Sequence, residues 1–163
     1  MPSPGSTIRS AWSHLSPLPG GRWLFSRLLG FMNPYSGAVG ATVVTLEPGF
    51  CRVELAERRA VRNHLDSVHA IALVNVAELA SGLAMLAALP EGARGIVTNI
   101  SVAYVKKARG LLTAESRVAL PDVTADAEHN VTSVVRDAAG DEVARATVTW
   151  RLGPEPDRRQ EPV

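Results

Sequence analysis

The chain has 163 residues, 46% of them hydrophobic and 20% charged, which suits one folded domain and is too apolar for a disordered segment. Seventeen basic side chains against sixteen acidic ones leave a net charge of +1, so the total carries no electrostatic footprint for nucleic acid. A single cysteine, Cys51, excludes an intrachain disulfide framework and a cysteine-cluster zinc site, while His14, His64, His69 and His129 offer no paired ligand spacing, so neither metal nor cofactor is expected.

Residues 1–19, rich in Ser and Pro, read as a flexible arm, with Pro and Gly where a signal peptide would carry its apolar run. Over residues 20–33, Leu24, Leu28, Leu29 and Met32 recur at helical spacing beside Arg22, Ser26 and Arg27, which predicts a short amphipathic helix laid over a core. The Asn33-Pro34 step ends it, because the residue before a proline disfavours the α region. From residue 37 the period changes to two: GAVGATVVTLE and CRVELAE read as strands about a Glu47-Pro48-Gly49 turn. Cys51, Val53 and Leu55 share one face, so Cys51 reads as a small core residue rather than a nucleophile.

Residues 70–89 are long enough as a helix to span a bilayer core of roughly 30 Å. They contain Asn75, Glu78 and Ser81, however, and a central carboxylate costs roughly 2.5–3.5 kcal/mol on insertion scales. A helix buried inside protein on nearly all sides is the better reading, and no membrane partner is expected. Beyond Pro90-Glu91-Gly92 the pattern is strand after strand: residues 95–108, 113–120, 128–137 and 142–152. The connections are too short for crossover helices, so neighbours are antiparallel. The charged, Pro-rich tail, 153–163, reads as disordered. The sum is α+β: one domain over residues 20–152, in which a curved antiparallel sheet of five or six strands wraps one long helix, with a short N-terminal helix added.

The chemistry concentrates at that long helix. Asp66 or Ser67 is a plausible N-cap, so the helix begins near His69. Its first free N–H groups, around Ala70 and Ile71, favour developing negative charge at the helix mouth, as an oxyanion needs. Asn75, Glu78 and Ser81 recur every three residues as a thin polar stripe. A buried carboxylate is costly unless it is paired or catalytic, and desolvation raises its pKa, which suits a general base near neutral pH. Glu78 lies nine residues past His69, roughly 13 Å along the axis. The two act on one bond only if they come from different chains across a dimer interface.

The segment Asn63-x5-His69-Ala70-x7-Glu78, with the element order, resembles the hotdog-fold thioesterase superfamily, particularly the PaaI-like acyl-CoA thioesterases and a neighbouring domain-of-unknown-function branch. The likeness covers about residues 35–152. It implies a hotdog fold, a homodimer (or a tetramer built from it) whose sheets join edge to edge, and acyl-CoA bound between subunits. Carried over by position, Asn63, His69 and the Ala70 N–H orient and polarise the thioester, and Glu78 of the partner subunit activates water or attacks the carbonyl.

There are departures from the family pattern. Its His-Gly-Gly is His69-Ala70-Ile71 here, the acid is Glu rather than the commoner Asp, and its Ser or Thr on the strand after the helix falls at Val97, beside Thr98. Asn75, Ser81 and Thr98 are candidates to line the substrate. Arg62 and Lys107, from the clusters Arg58, Arg59, Arg62 and Lys106, Lys107, Arg109, are candidates to meet coenzyme A phosphates. The implied activity is hydrolysis of acyl-CoA to a carboxylic acid and free coenzyme A in the cytoplasm, with no cofactor and no nucleic-acid partner. Alternatives stay open: a non-catalytic acyl-CoA-binding protein, Glu78 as a structural acid, His69 as a helix cap, and the basic clusters as solvated loops. A hydratase would want a paired Asp and His before the helix, which Asp66 and His69 meet only loosely.

Overall fold

The structure, a computed structural model, describes residues 4–119 and 123–155. Three helices come first: α1 (Pro4–Leu15), α2 (Gly21–Met32) and the short α3 (Pro34–Gly37). The Ser/Pro-rich segment expected to be a loose arm is therefore helical over most of its length. Ile8, Ala11, Trp12 and Leu15 recur at helical spacing and pack on the core, and Pro4 sits in the first turn, where its missing N–H costs nothing. Trp12 meets Phe25 of α2 edge-on, with ring centroids 5.0 Å apart.

α2 has the expected bounds but shows a different face to the core. Phe25 is buried and Leu29 half-buried, whereas Leu24 and Met32 are 41% and 72% exposed. Two anchors set this rotation: the Trp12–Phe25 contact, and Ser26, whose Oγ accepts the Val43 N–H at 2.9 Å. The stripe of Leu24, Leu28 and Met32 points outward instead of covering the core.

Six strands follow: β1 (Thr42–Glu47), β2 (Phe50–Ala56), β3 (Ala93–Tyr104), β4 (Leu111–Arg117), β5 (Ala127–Arg136) and β6 (Glu142–Pro154). They form one sheet in the order β1-β2-β4-β5-β6-β3, every pair antiparallel. The hairpin turn falls at Pro48-Gly49, with Gly49 at φ 78°, a left-handed conformation that glycine adopts without strain. On β6, Ala144, Ala146, Val148, Trp150 and Leu152 are all buried and Arg145 and Arg151 face out, as the alternation predicts. The strand expected over 113–120 ends at Arg117, and Leu120 lies outside the described residues. The expected disorder does not begin at 153: Gly153 and Pro154 complete β6, and the Glu155 N–H donates to the Gly92 carbonyl at 2.7 Å. The rest of that tail, 156–163, lies outside the described residues.

The long helix, α4 (Ala70–Ala88), contacts all six strands inside the curved sheet. Among the described residues it is the one helix long and apolar enough to cross a membrane, with mean hydropathy 1.8, and it lies mostly inside the protein. Ala80 and Ala84, fully buried, let the sheet close down on it. Cys51 is fully buried too, and burial pushes its thiol up to about 12, so it is an inert core residue.

Among the described residues β3 is an edge strand that pairs with β6 alone. A register shift between Val97 and Asn99 leaves Thr98 as a bulge, so its strict alternation breaks there.

Candidate functional site

Where α2 and α3 pass over α4 there is a cavity of about 810 Å³, inside the range of roughly 300–1,000 Å³ typical of small-molecule sites. Glu78, Gly82 and Leu86, at i, i+4 and i+8, put one face of α4 along it, and Trp150 of β6 lines it as well. Glu78 is half-buried, and burial pushes its carboxyl above the ordinary carboxylate range; no hydrogen bond or charged neighbour among the described residues offsets this. A side chain at Gly82 would begin 3.5 Å from Glu78 Oε1 and 3.8 Å from Trp150 Cζ2. The missing Cβ therefore keeps an open slot between the acid and the indole. Trp150 is 5% exposed, and among the described residues its Nε1–H lacks a partner, as does Asn75 Oδ1.

The mouth of α4 is built differently from the expected Asp66 or Ser67 cap. His69 is the N-cap: its Nδ1 accepts the Ile71 N–H at 3.1 Å. Asp66 instead occupies a turn at φ 50°, and Ser67 is buried with its Oγ donating to Asn63 Oδ1 at 3.2 Å. Asn63 Oδ1 also accepts the Leu65 and Ser67 N–H groups, which makes it the organiser of this loop. With Ile71 bonded to the His69 ring, and Ala72 and Leu73 to the His69 carbonyl, the Ala70 N–H is left without a partner among the described residues. Tyr104 Oη donates to the Ala70 carbonyl at 3.3 Å and ties this mouth to the end of β3.

Asn63 thus organises the loop that leads into the mouth of α4, where His69 and Ala70 stand, while Glu78 lies roughly 13 Å farther along the same helix, in the cavity. The other candidates scatter. Asn75 Nδ2 donates to the Tyr35 carbonyl at 3.1 Å and clips α3 to α4, and the Ser81 hydroxyl donates to the Glu78 carbonyl at 3.2 Å. Neither side chain lines the cavity. Thr98 is exposed on its bulge, donating to the Thr149 carbonyl at 3.3 Å. Arg62 pairs with Glu57 at 2.6 Å; the Gly110 N–H and then Arg62 hold that carboxyl below its ordinary value. Lys107 is exposed on the loop after β3. Of the basic cluster before α4, Arg58 reaches the cavity.

Gly82, Trp150 and the α2–α3 roof escaped the sequence reading. The first had a signal, since i+4 from Glu78 is the same helix face. The roof had none, because its inward face depends on α1 and β1.

The family Domain of unknown function (DUF4442) matches residues 21–152. The chain belongs to the DUF4442 family. No curated protein matches this DUF4442 chain. Among solved structures it is similar to a structural-genomics protein at 31% identity and TM-score 0.78, over 92% of this chain and 97% of that one. A Pseudomonas aeruginosa protein, described as of unknown function and a probable thioesterase, is 22% identical with TM-score 0.73, over 85% of this chain and 97% of its own. A thioesterase from Haemophilus influenzae is 13% identical with TM-score 0.67, over 77% and 87% of the two chains. The DUF4442 chain has the hotdog fold that the resemblance implies.

Proposed function

We propose that the protein hydrolyses an acyl-CoA thioester to the carboxylic acid and free coenzyme A, acting as a homodimer. The observation that carries this reading is Glu78: a carboxyl with no partner among the described residues, its pKa raised by burial, on the wall of a substrate-sized cavity. The thioesterase descriptions of the Pseudomonas and Haemophilus neighbours support it. In the reaction, Glu78 takes a proton from water as the water oxygen bonds to the thioester carbonyl carbon. The unpartnered Ala70 N–H of the other protomer, at the positive end of α4, stabilises the oxyanion. Collapse breaks the carbon–sulfur bond, and the proton held by Glu78 leaves on the coenzyme A sulfur. The separation of Glu78 from Ala70 within one chain is the reason two chains are needed. The unpaired outer edge of β3 is the surface on which a second sheet would add.

Release of free coenzyme A from short, long and aromatic acyl-CoA substrates tests the proposal. Glu78→Gln is expected to lower kcat by about 10²–10⁴-fold. Absence of turnover by the folded protein on every thioester would sink it. A second reading, a non-catalytic acyl-CoA-binding protein, draws on one observation: Asn63 and His69 spend their side-chain acceptors on the loop and the helix cap. It expects saturable binding that survives Glu78→Gln, without turnover in either form.

A further inference from the structure

A thioester carbonyl and one water fill only a small part of about 810 Å³. The walls indicate what takes the rest. Leu29, Leu79, Leu83, Leu86 and Trp150 line it, and Glu78 is the only acid among its described lining residues. Phe31 and Met32 also line it and are 85% and 72% exposed, so they stand at its lip. Arg27 and Arg58 are exposed lining residues as well, and the chain holds no Asp or Glu before Glu47, so the roof and lip bear only positive charge. An apolar interior behind a cationic lip suits a ligand with an aliphatic tail and an anionic head.

We infer that this cavity houses the acyl chain within a single protomer, roofed by α2 and α3, and that the substrate is accordingly a medium- or long-chain aliphatic acyl thioester whose tail passes over Gly82. The inference rests on the thioesterase reading for the head of the substrate at Glu78, and on the cavity alone for its tail. Gly82 is the gauge. A Cβ there would lie 3.5 Å from Glu78 Oε1 and 3.8 and 3.9 Å from Trp150 Cζ2 and Cη2, all ordinary contacts. Alanine therefore fits without moving a neighbour and also favours the helix. A leucine occupies the slot between carboxyl and indole.

The test compares wild type, Gly82→Ala and Gly82→Leu. One readout is hydrolysis of acetyl-, hexanoyl-, dodecanoyl- and benzoyl-CoA; the other, independent of turnover, is binding of a fluorescent long-chain fatty acid and its displacement by dodecanoyl-CoA. Wild type is expected to favour dodecanoyl-CoA. Gly82→Leu, whose side chain also crowds Glu78, is expected to lower the ratio of kcat/KM for dodecanoyl-CoA to that for acetyl-CoA by about tenfold or more, whatever it does to the absolute rates. Gly82→Ala, folded as wild type, is expected to lose in the same order to a smaller degree. A wild-type preference for acetyl- or benzoyl-CoA overturns the inference, and so does a Gly82→Ala protein with an unchanged chain-length profile. If no thioester turns over but fatty-acid binding persists and weakens in Gly82→Leu, the acyl site stands and the hydrolase reading falls. If short thioesters turn over and no fatty acid binds, the reverse holds.

Discussion

Glu78 is a charge held where charge is costly. Its carboxyl lies in a mostly apolar cavity with no ion pair among the described residues to offset desolvation, so its pKa in the folded protein is raised. The fold therefore favours the protonated form. Glu78 costs nothing below the ordinary carboxylate range, and stability falls as pH rises from there through the raised folded value. Glu78→Gln keeps the shape and removes the charge. The variant is expected to melt at a higher temperature than wild type at neutral pH, with the gap closing in acid, while losing turnover. Thermal melts across a pH series check this, and a lower melting temperature at neutral pH contradicts it. Such a gain in stability with loss of activity is the behaviour of a working group rather than a structural one. Burial of Glu78 was legible, because its neighbours along the helix are apolar. Its lack of a partner was not, because that depends on α2 and β6, which are remote in sequence. The same holds for the cap: Asp66 and Ser67 are better capping residues by type, and only the loop organised by Asn63 hands the position to His69.

Helix α2 holds the roof over the cavity through one buried aromatic. Phe25 loses its edge-on contact with Trp12 and a packed core site if shortened. Phe25→Ala is expected to cost about 3–5 kcal/mol in chemical denaturation. It is also expected to speed hydrogen exchange in α1 ahead of α4, since α1 and α2 brace each other there; uniform exchange across the fold would show no such pairing. Periodicity located α2 and misjudged its face for a physical reason. Trp23, Leu24, Phe25, Leu28, Leu29, Phe31 and Met32 leave hardly any polar side, so only tertiary contacts choose which is buried. In α1 the Ser and Pro content hid an apolar face of Ile8, Ala11, Trp12 and Leu15.

For the molecule as a whole, the outer edge of β3 and the spacing along α4 point the same way. Ile96 and Ile100 are exposed on that edge strand, which pairs on one side only. On the proposed dimeric site, sedimentation equilibrium is expected to give a dimer, and Ile100→Lys to shift it toward monomer with a matching loss of turnover, because Glu78 of one protomer would then no longer meet the Ala70 N–H of the other. A fully active monomer would contradict this arrangement. The alternation of β6, the enclosed α4, the hairpin at Pro48-Gly49 and the core place of Cys51 could all be read along the chain. Each follows from a pattern that repeats over a few residues, and a local pattern specifies which side an element buries when its two sides differ. That Gly82 opens a slot between Glu78 and Trp150, beneath the roof of α2 and α3, could not be read so. A cavity is defined by atoms that are missing between distant elements, and a missing Cβ leaves no period in the sequence.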